Sequence, residues 1–85
     1  MASYNHIDYS KHPFFNVGRV DQWGEQGYFL YEGKVYFFID DRHDGQYSIQ
    51  TPRSPQDFLD FAKKKRISIP KDFKDLLLEV INNKP

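Results

Sequence analysis

Residues 28–40 read YFLYEGKVYFFID, and this stretch decides the fold. It contains two runs of aromatic and β-branched residues, Tyr28–Tyr31 and Val35–Asp40, on either side of Glu32-Gly33-Lys34. Two such runs separated by a short turn that contains glycine are typical of a β-hairpin. The sequence therefore predicts two neighbouring antiparallel strands as the centre of a sheet.

One further strand is predicted on each side of this hairpin. Phe14–Val20 is the first, and the turn-rich residues 21–27 connect it to the hairpin. Gln46–Thr51 is the last, because apolar Tyr47 and Ile49 alternate there with polar residues. The result is a predicted antiparallel meander of three to four strands.

The last third of the chain carries the start signals of two helices. Ser54 is predicted as the N-cap of the first, which begins with Pro55 and ends near Lys65. The second is predicted to begin at Pro70 and carries an apolar stripe at helical spacing. The stripe consists of Phe73, Leu76, Leu77, Val80 and Ile81. Strands followed by helices favour the α+β class, with both helices packed on one face of the sheet.

Length and composition predict one small domain over residues 1–85, in which residues 1–12 form a flexible or covering arm. At 85 residues the chain has room for a single core. It contains no cysteine, which excludes disulfides and thiolate metal sites. No segment resembles a signal peptide or reaches membrane-spanning length, so a cytoplasmic protein without membrane contact is predicted. Twelve acidic residues balance twelve basic ones, and any electrostatic function must therefore be local.

Acidic residues cluster in the loop after the hairpin, where a metal or acid–base site could form. Asp40, Asp44 and Gly45 fit three positions of a calcium-binding loop. Arg42 and Thr51, however, stand where two of the ligands belong, and an Asp-Gly turn explains the same residues. We predict no metal site and no cofactor.

The histidines also give no clear catalytic pattern. His6, His12 and His43 could act as general acid and base, but their spacing does not require them to meet. A hydrolase or nuclease that uses His43 and Asp44 stays open as a minor alternative. The prediction is a protein without catalytic residues, and so not an enzyme.

Strand alternation places Phe29, Tyr31, Lys34, Tyr36 and Phe38 on one side of the hairpin. Two helices can cover only the other side, which carries Tyr28, Leu30, Val35, Phe37 and Ile39. The aromatic side is then either covered by the N-terminal arm or left open as a docking surface, because large apolar patches are rarely bare on monomers.

The functional prediction is a small protein-binding module of inhibitor, immunity or accessory-regulator kind that docks through this aromatic sheet surface. Its predicted contact residues are Phe29, Tyr31, Tyr36, Phe38 and Trp23. A homodimer that closes over the same face is also possible.

The alternative prediction is a protein that binds single-stranded nucleic acid, with the aromatic strands stacking on bases. Basic residues around the turn between the helices would contact phosphates. They are Lys63, Lys64, Lys65, Arg66, Lys71 and Lys74. Favourable electrostatics at a helix C-terminus explains part of this cluster without any partner.

Overall fold

The computed structural model describes residues 4–18, 24–41, 46–50 and 52–83. A single 3₁₀ turn, Tyr9–Lys11, precedes four strands and two helices. These are β1 (Phe14–Gly18), β2 (Glu25–Tyr31), β3 (Lys34–Asp41), β4 (Gln46–Ile49), α1 (Pro55–Lys65) and α2 (Lys71–Asn82). The strands form one antiparallel sheet in the order β1-β2-β3-β4, which confirms the predicted α+β meander with two C-terminal helices.

The central hairpin has the register that its turn predicts. Leu30 lies opposite Val35, and Phe29 lies opposite Tyr36. The turn residues Glu32 and Gly33 both have positive φ, at 50° and 77°. Two consecutive residues in this left-handed region are typical of the tight turns whose twist matches that of the flanking strands.

Strand β2 begins earlier than predicted, and assigning residues 25–27 to a turn was wrong. All three residues pair with β3, and Gln26 and Gly27 also pair with β1. Gly27 is needed there because the backbone of β1 approaches β2 closely: a Cβ at this position would lie 2.1 Å from the carbonyl oxygen of Phe15. The register of β1 also shifts between Asn16 and Gly18, which marks a bulge in β1 next to Asn16, the residue that lies opposite Gly27.

The helices begin close to their predicted positions. The Ser54 hydroxyl accepts a hydrogen bond from the backbone N–H of Asp57 at 3.2 Å, which caps α1. Pro70 is the N-cap of α2 rather than its first residue, so this helix begins one residue later than predicted.

Both helices pack on one side of the sheet, which we call the helix face. Side chains from three strands and both helices form its core. The buried members are Phe15, Tyr28, Val35, Phe58, Ala62, Phe73 and Leu77. Of the α2 stripe, Phe73 and Leu77 are buried in this core, whereas Leu76, Val80 and Ile81 are half-buried.

We expect Gly27→Ala to destabilise the protein by about 2 kcal/mol or more, because the new methyl group overlaps the backbone of β1. Chemical denaturation followed by circular dichroism measures this change. Gln26→Ala, at a half-buried neighbour on the same strand, is the control and should cost less than about 1 kcal/mol. Equal effects of the two substitutions would contradict the close-approach role of Gly27.

Candidate interaction surfaces

The opposite side of the sheet is covered by residues 4–13, which we call the N-terminal arm. Ile7 and Tyr9 are buried against this side, which we call the arm face. The ring of Tyr9 stacks on that of Phe38 with centroids 3.8 Å apart, and Tyr4 meets Tyr36 edge-on at 5.3 Å. The covering arm, one of the two predicted alternatives, is therefore the one that the structure contains.

The predicted open aromatic surface is absent from the described monomer. Phe29 and Phe38 have no exposed surface and Tyr36 is 6 % exposed, while Tyr31 is half-buried. Trp23 lies outside the described residues. For Phe29, Tyr36 and Phe38, the expectation of an open contact surface was wrong, because the N-terminal arm supplies the apolar cover that the sheet requires.

Specific hydrogen bonds hold the arm in place as well as apolar packing. The Tyr9 hydroxyl donates to Oδ2 of the buried Asp40 at 2.7 Å. The Tyr47 hydroxyl donates to the backbone oxygen of Ile7 at 2.5 Å. Such bonds to buried acceptors fix the register of the arm on the sheet. Sequence reasoning missed the pairing of Tyr9 with Asp40, because 31 residues separate them.

Burial also raises the pKa of two tyrosines, one on each face of the sheet. On the arm face, burial raises the pKa of Tyr36, and the nearby Tyr4, Glu32 and Tyr31 add to this effect. On the helix face, burial raises the pKa of Tyr28, although the positive charge of Arg53 acts in the opposite direction. Both hydroxyls are thus held in the neutral form.

Because both pKa values are raised in the folded state, the folded protein keeps these two protons at pH values at which the unfolded chain loses them. The contribution of the two neutral tyrosines to stability is therefore complete below pH 10, the ordinary tyrosine pKa, and is lost as the pH rises above it. We expect the free energy of unfolding to fall above pH 10. Tyr28→Phe should make this fall less steep, whereas an unchanged slope would contradict the assignment. Denaturation curves at a series of alkaline pH values measure the effect.

In the described part of the chain, an apolar surface stays open at the end of the sheet where the hairpin turns. A groove of about 660 Å³ lies between the β2–β3 turn, the start of α1 and the second half of α2, and we call it the hairpin groove. Its apolar lining includes Leu30, Leu76, Val80 and Ile81. Volume and lining fall within the range of sites that bind small molecules or partner side chains.

Charged side chains form part of the rim of the hairpin groove. Glu32, Lys34 and Glu79 line it together with the polar Gln56 and Asn83. Sequence reasoning assigned the α2 stripe to the core. It missed that three stripe residues line an open groove, and no local signal distinguishes them from the buried ones.

The basic residues around the helix turn are exposed as predicted from their charge. All six lie at the end of α1 or in the first two turns of α2: Lys63, Lys64, Lys65, Arg66, Lys71 and Lys74. Arg66 also comes close to the edge of the sheet, where it lines a shallow cavity of about 320 Å³ with Asn16 and Val17. The rings that would stack on bases in the nucleic-acid alternative are buried on the arm face, so the basic cluster has no described aromatic platform beside it.

Within the described ranges, no group of three His, Cys, Asp or Glu side chains could hold a metal ion. His43 and Asp44, the pair considered for catalysis, lie outside those ranges. None of the described helices is long and apolar enough to span a bilayer. No protein-family model, curated protein or solved structure shows a significant match to the chain. The functional proposal therefore rests on the surfaces of this molecule alone.

We expect Tyr36→Ala to destabilise the protein by about 3 kcal/mol, because it removes a buried ring that lies 5.2 Å from Phe29 in a stacked pair. Thermal and chemical unfolding measure the change. Lys34→Ala, at an exposed position on the same strand, is the control. A stable Tyr36→Ala variant with a cooperative transition would show that this ring does not belong to the core.

Proposed function

We propose that the protein is a small, non-catalytic protein-binding module of inhibitor, immunity or accessory-regulator kind, and that it docks through the hairpin groove. The observation that carries this proposal is an apolar groove that remains open although the chain's own elements cover both faces of the sheet. Large apolar patches that stay open are associated with binding. The groove replaces the aromatic sheet surface as the proposed contact site.

The chemistry of the groove indicates the kind of partner segment that fits it. Its floor accepts an apolar side chain, since Leu30, Val80 and Ile81 contribute aliphatic surface. Its rim carries two carboxylates, from Glu32 and Glu79, and one ammonium group, from Lys34. We infer that the occupant is a short segment with an aliphatic or aromatic anchor residue and a basic residue next to it, because apolar centres with charged rims are typical of interfaces.

The conformation of Glu32 supports a binding role for this rim. Its φ of 50° lies in the left-handed region, where Gly, Asn and Asp are favoured and a longer side chain is strained. Strain of this kind clusters at functional sites. A glutamate at this position costs stability and places a carboxylate on the rim of the groove.

Binding of single-stranded nucleic acid is the second proposal. The exposed basic cluster of residues 63–74 supports it, because six basic side chains near one helix turn could contact phosphates. With the sheet rings buried, this mode of binding would depend on charge. The cytoplasmic location stays a prediction.

Selection of short peptides from a random library tests the proposed groove. We expect selected peptides to carry an apolar anchor beside a basic residue and to lose at least about tenfold in affinity against Val80→Glu, which places a charge on the groove floor. Leu78→Glu is the matched control, because Leu78 is 39 % exposed on the same helix outside the groove. Isothermal titration calorimetry measures the affinities.

Glu32→Asn separates binding from stability in the same experiment. Asparagine tolerates the left-handed conformation, so the variant should melt at a higher temperature and yet bind the selected peptides more weakly. The groove assignment is wrong if no peptide is selected, or if selected peptides bind Val80→Glu as well as the original protein. Tight binding of oligothymidylate that disappears in Lys64→Glu/Lys65→Glu and in high salt would instead support the second proposal.

A further inference from the structure

Strand β1 is an edge of the sheet, and no described residue pairs with its outer side. The Leu30 N–H donates to the Pro13 carbonyl at 2.9 Å, which makes these two residues a hydrogen-bonded pair. Hydrogen-bonded and non-hydrogen-bonded pairs alternate along antiparallel strands. The backbone N–H and C=O groups of Phe14 and Asn16 therefore point outward, away from β2, and can pair with a further strand.

The other edge of the sheet, β4, contacts the N-terminal arm. On the outer side of β4, the Ile49 N–H donates to Oδ1 of Asn5 at 2.8 Å, so the N-terminal arm occupies this edge. Proteins commonly protect edge strands in such ways, because unpaired edges recruit other strands. On β1, in contrast, Phe14 is 41 % and Val17 is 37 % exposed. Among the residues that the structure describes, β1 thus offers both hydrogen-bonding groups and apolar surface.

Positive charge lies directly beside this edge. Arg66, Ile67 and Ser68 line a cavity together with Asn16 and Val17 of β1. Residues 63–75, which include this connector, contain six basic and two acidic side chains, a net charge of +4. A segment that adds to β1 would therefore lie in a positive local field.

Arg66 itself is held in a conformation that does not suit arginine. Its φ is 58°, in the left-handed region at the end of α1, where glycine is the usual residue. Glycine at this position would end the helix with less strain. An arginine there costs stability, and Arg66 lines the cavity beside β1.

We propose that the outer edge of β1 binds an extended acidic segment of a partner protein by strand addition. Side chains of an added strand alternate between the two faces of the sheet. On the helix face they meet Arg66 and its basic neighbours and should be acidic. On the arm face they meet the exposed part of the Phe14 ring, which packs near Tyr9, and should be apolar. This surface is separate from the hairpin groove and extends the proposed binding role to a second contact.

Amide hydrogen exchange measured by NMR tests the strand pairing, with a capped peptide of about eight alternating glutamate and valine residues as the probe. In the free protein, the Phe14 and Asn16 amides should exchange rapidly. On binding, both should slow by at least about tenfold. The Ile49 amide is the internal control, because it is already bonded to Asn5 and should not change.

Arg66→Gly tests the electrostatic part. The variant should melt at the same or a higher temperature, because glycine suits this backbone conformation, and yet bind the acidic peptide about tenfold more weakly. Lys34→Ala is the matched control: it removes the same charge at the hairpin groove and should leave this affinity unchanged. Val80→Glu should also bind the acidic peptide normally.

Three results would overturn the proposal. They are equal binding of a lysine–valine peptide, binding without slower exchange at Phe14 and Asn16, and a preference for oligothymidylate over the acidic peptide, which would assign the basic cluster to nucleic acid. Loss of peptide selection at the hairpin groove, with acidic-peptide binding intact, would contradict the proposed groove and leave the β1 inference standing. The two failures are therefore distinguishable.

Discussion

The stacking of Tyr9 on Phe38 holds the N-terminal arm on the sheet, and the rest of the structure depends on this cover. The centroids of the two rings lie 3.8 Å apart, and the Tyr9 hydroxyl donates to the buried carboxylate of Asp40. A central hairpin with large rings on both sides cannot be stable in water with one side bare, since each ring contributes substantial apolar area. Two short helices cover one side only. The arm completes the core on the other, and it does so with both apolar and polar contacts.

The helices cover one face of the sheet and the N-terminal arm covers the other, and this determines where the molecule can bind. With both sheet faces occupied, the open surfaces in the described part of the chain are the hairpin groove at one end of the sheet and the outer side of β1. At each of them stands a residue with an unfavourable backbone conformation, Glu32 in one case and Arg66 in the other. Glycine or asparagine would give a more stable turn at both positions. The charged side chains that stand there instead are the physical basis for proposing contacts with partners of opposite charge.

The two proposed contacts differ in the interaction that provides the affinity. The groove provides apolar burial with a small excess of negative charge on its rim, whereas the β1 edge provides backbone hydrogen bonds in a positive field. A partner that used both would need an apolar anchor and a separate acidic strand. Such combined requirements raise specificity, because a competitor must satisfy two unrelated chemistries at a fixed distance.

Local sequence determined the elements of this fold. The hairpin followed from Glu32-Gly33 between two apolar runs, and α1 from Ser54-Pro55, because turns and helix caps depend on backbone preferences of neighbouring residues. Gly27 was misassigned to a turn for the same reason: its role in a close crossing of two strands depends on Phe15, twelve residues away.

Tertiary structure alone decided what those elements leave exposed. The aromatic content predicted a surplus of apolar surface, but not whether the arm or a partner would cover it. That choice depended on long-range contacts such as Tyr9 with Asp40 and Asn5 with Ile49. The groove likewise arises from how the helices are placed on the sheet, and the β1 edge arises from the strand order, in which no described strand pairs with its outer side. Periodicity in one chain segment reports which side chains are apolar, and only packing determines which of them meet water.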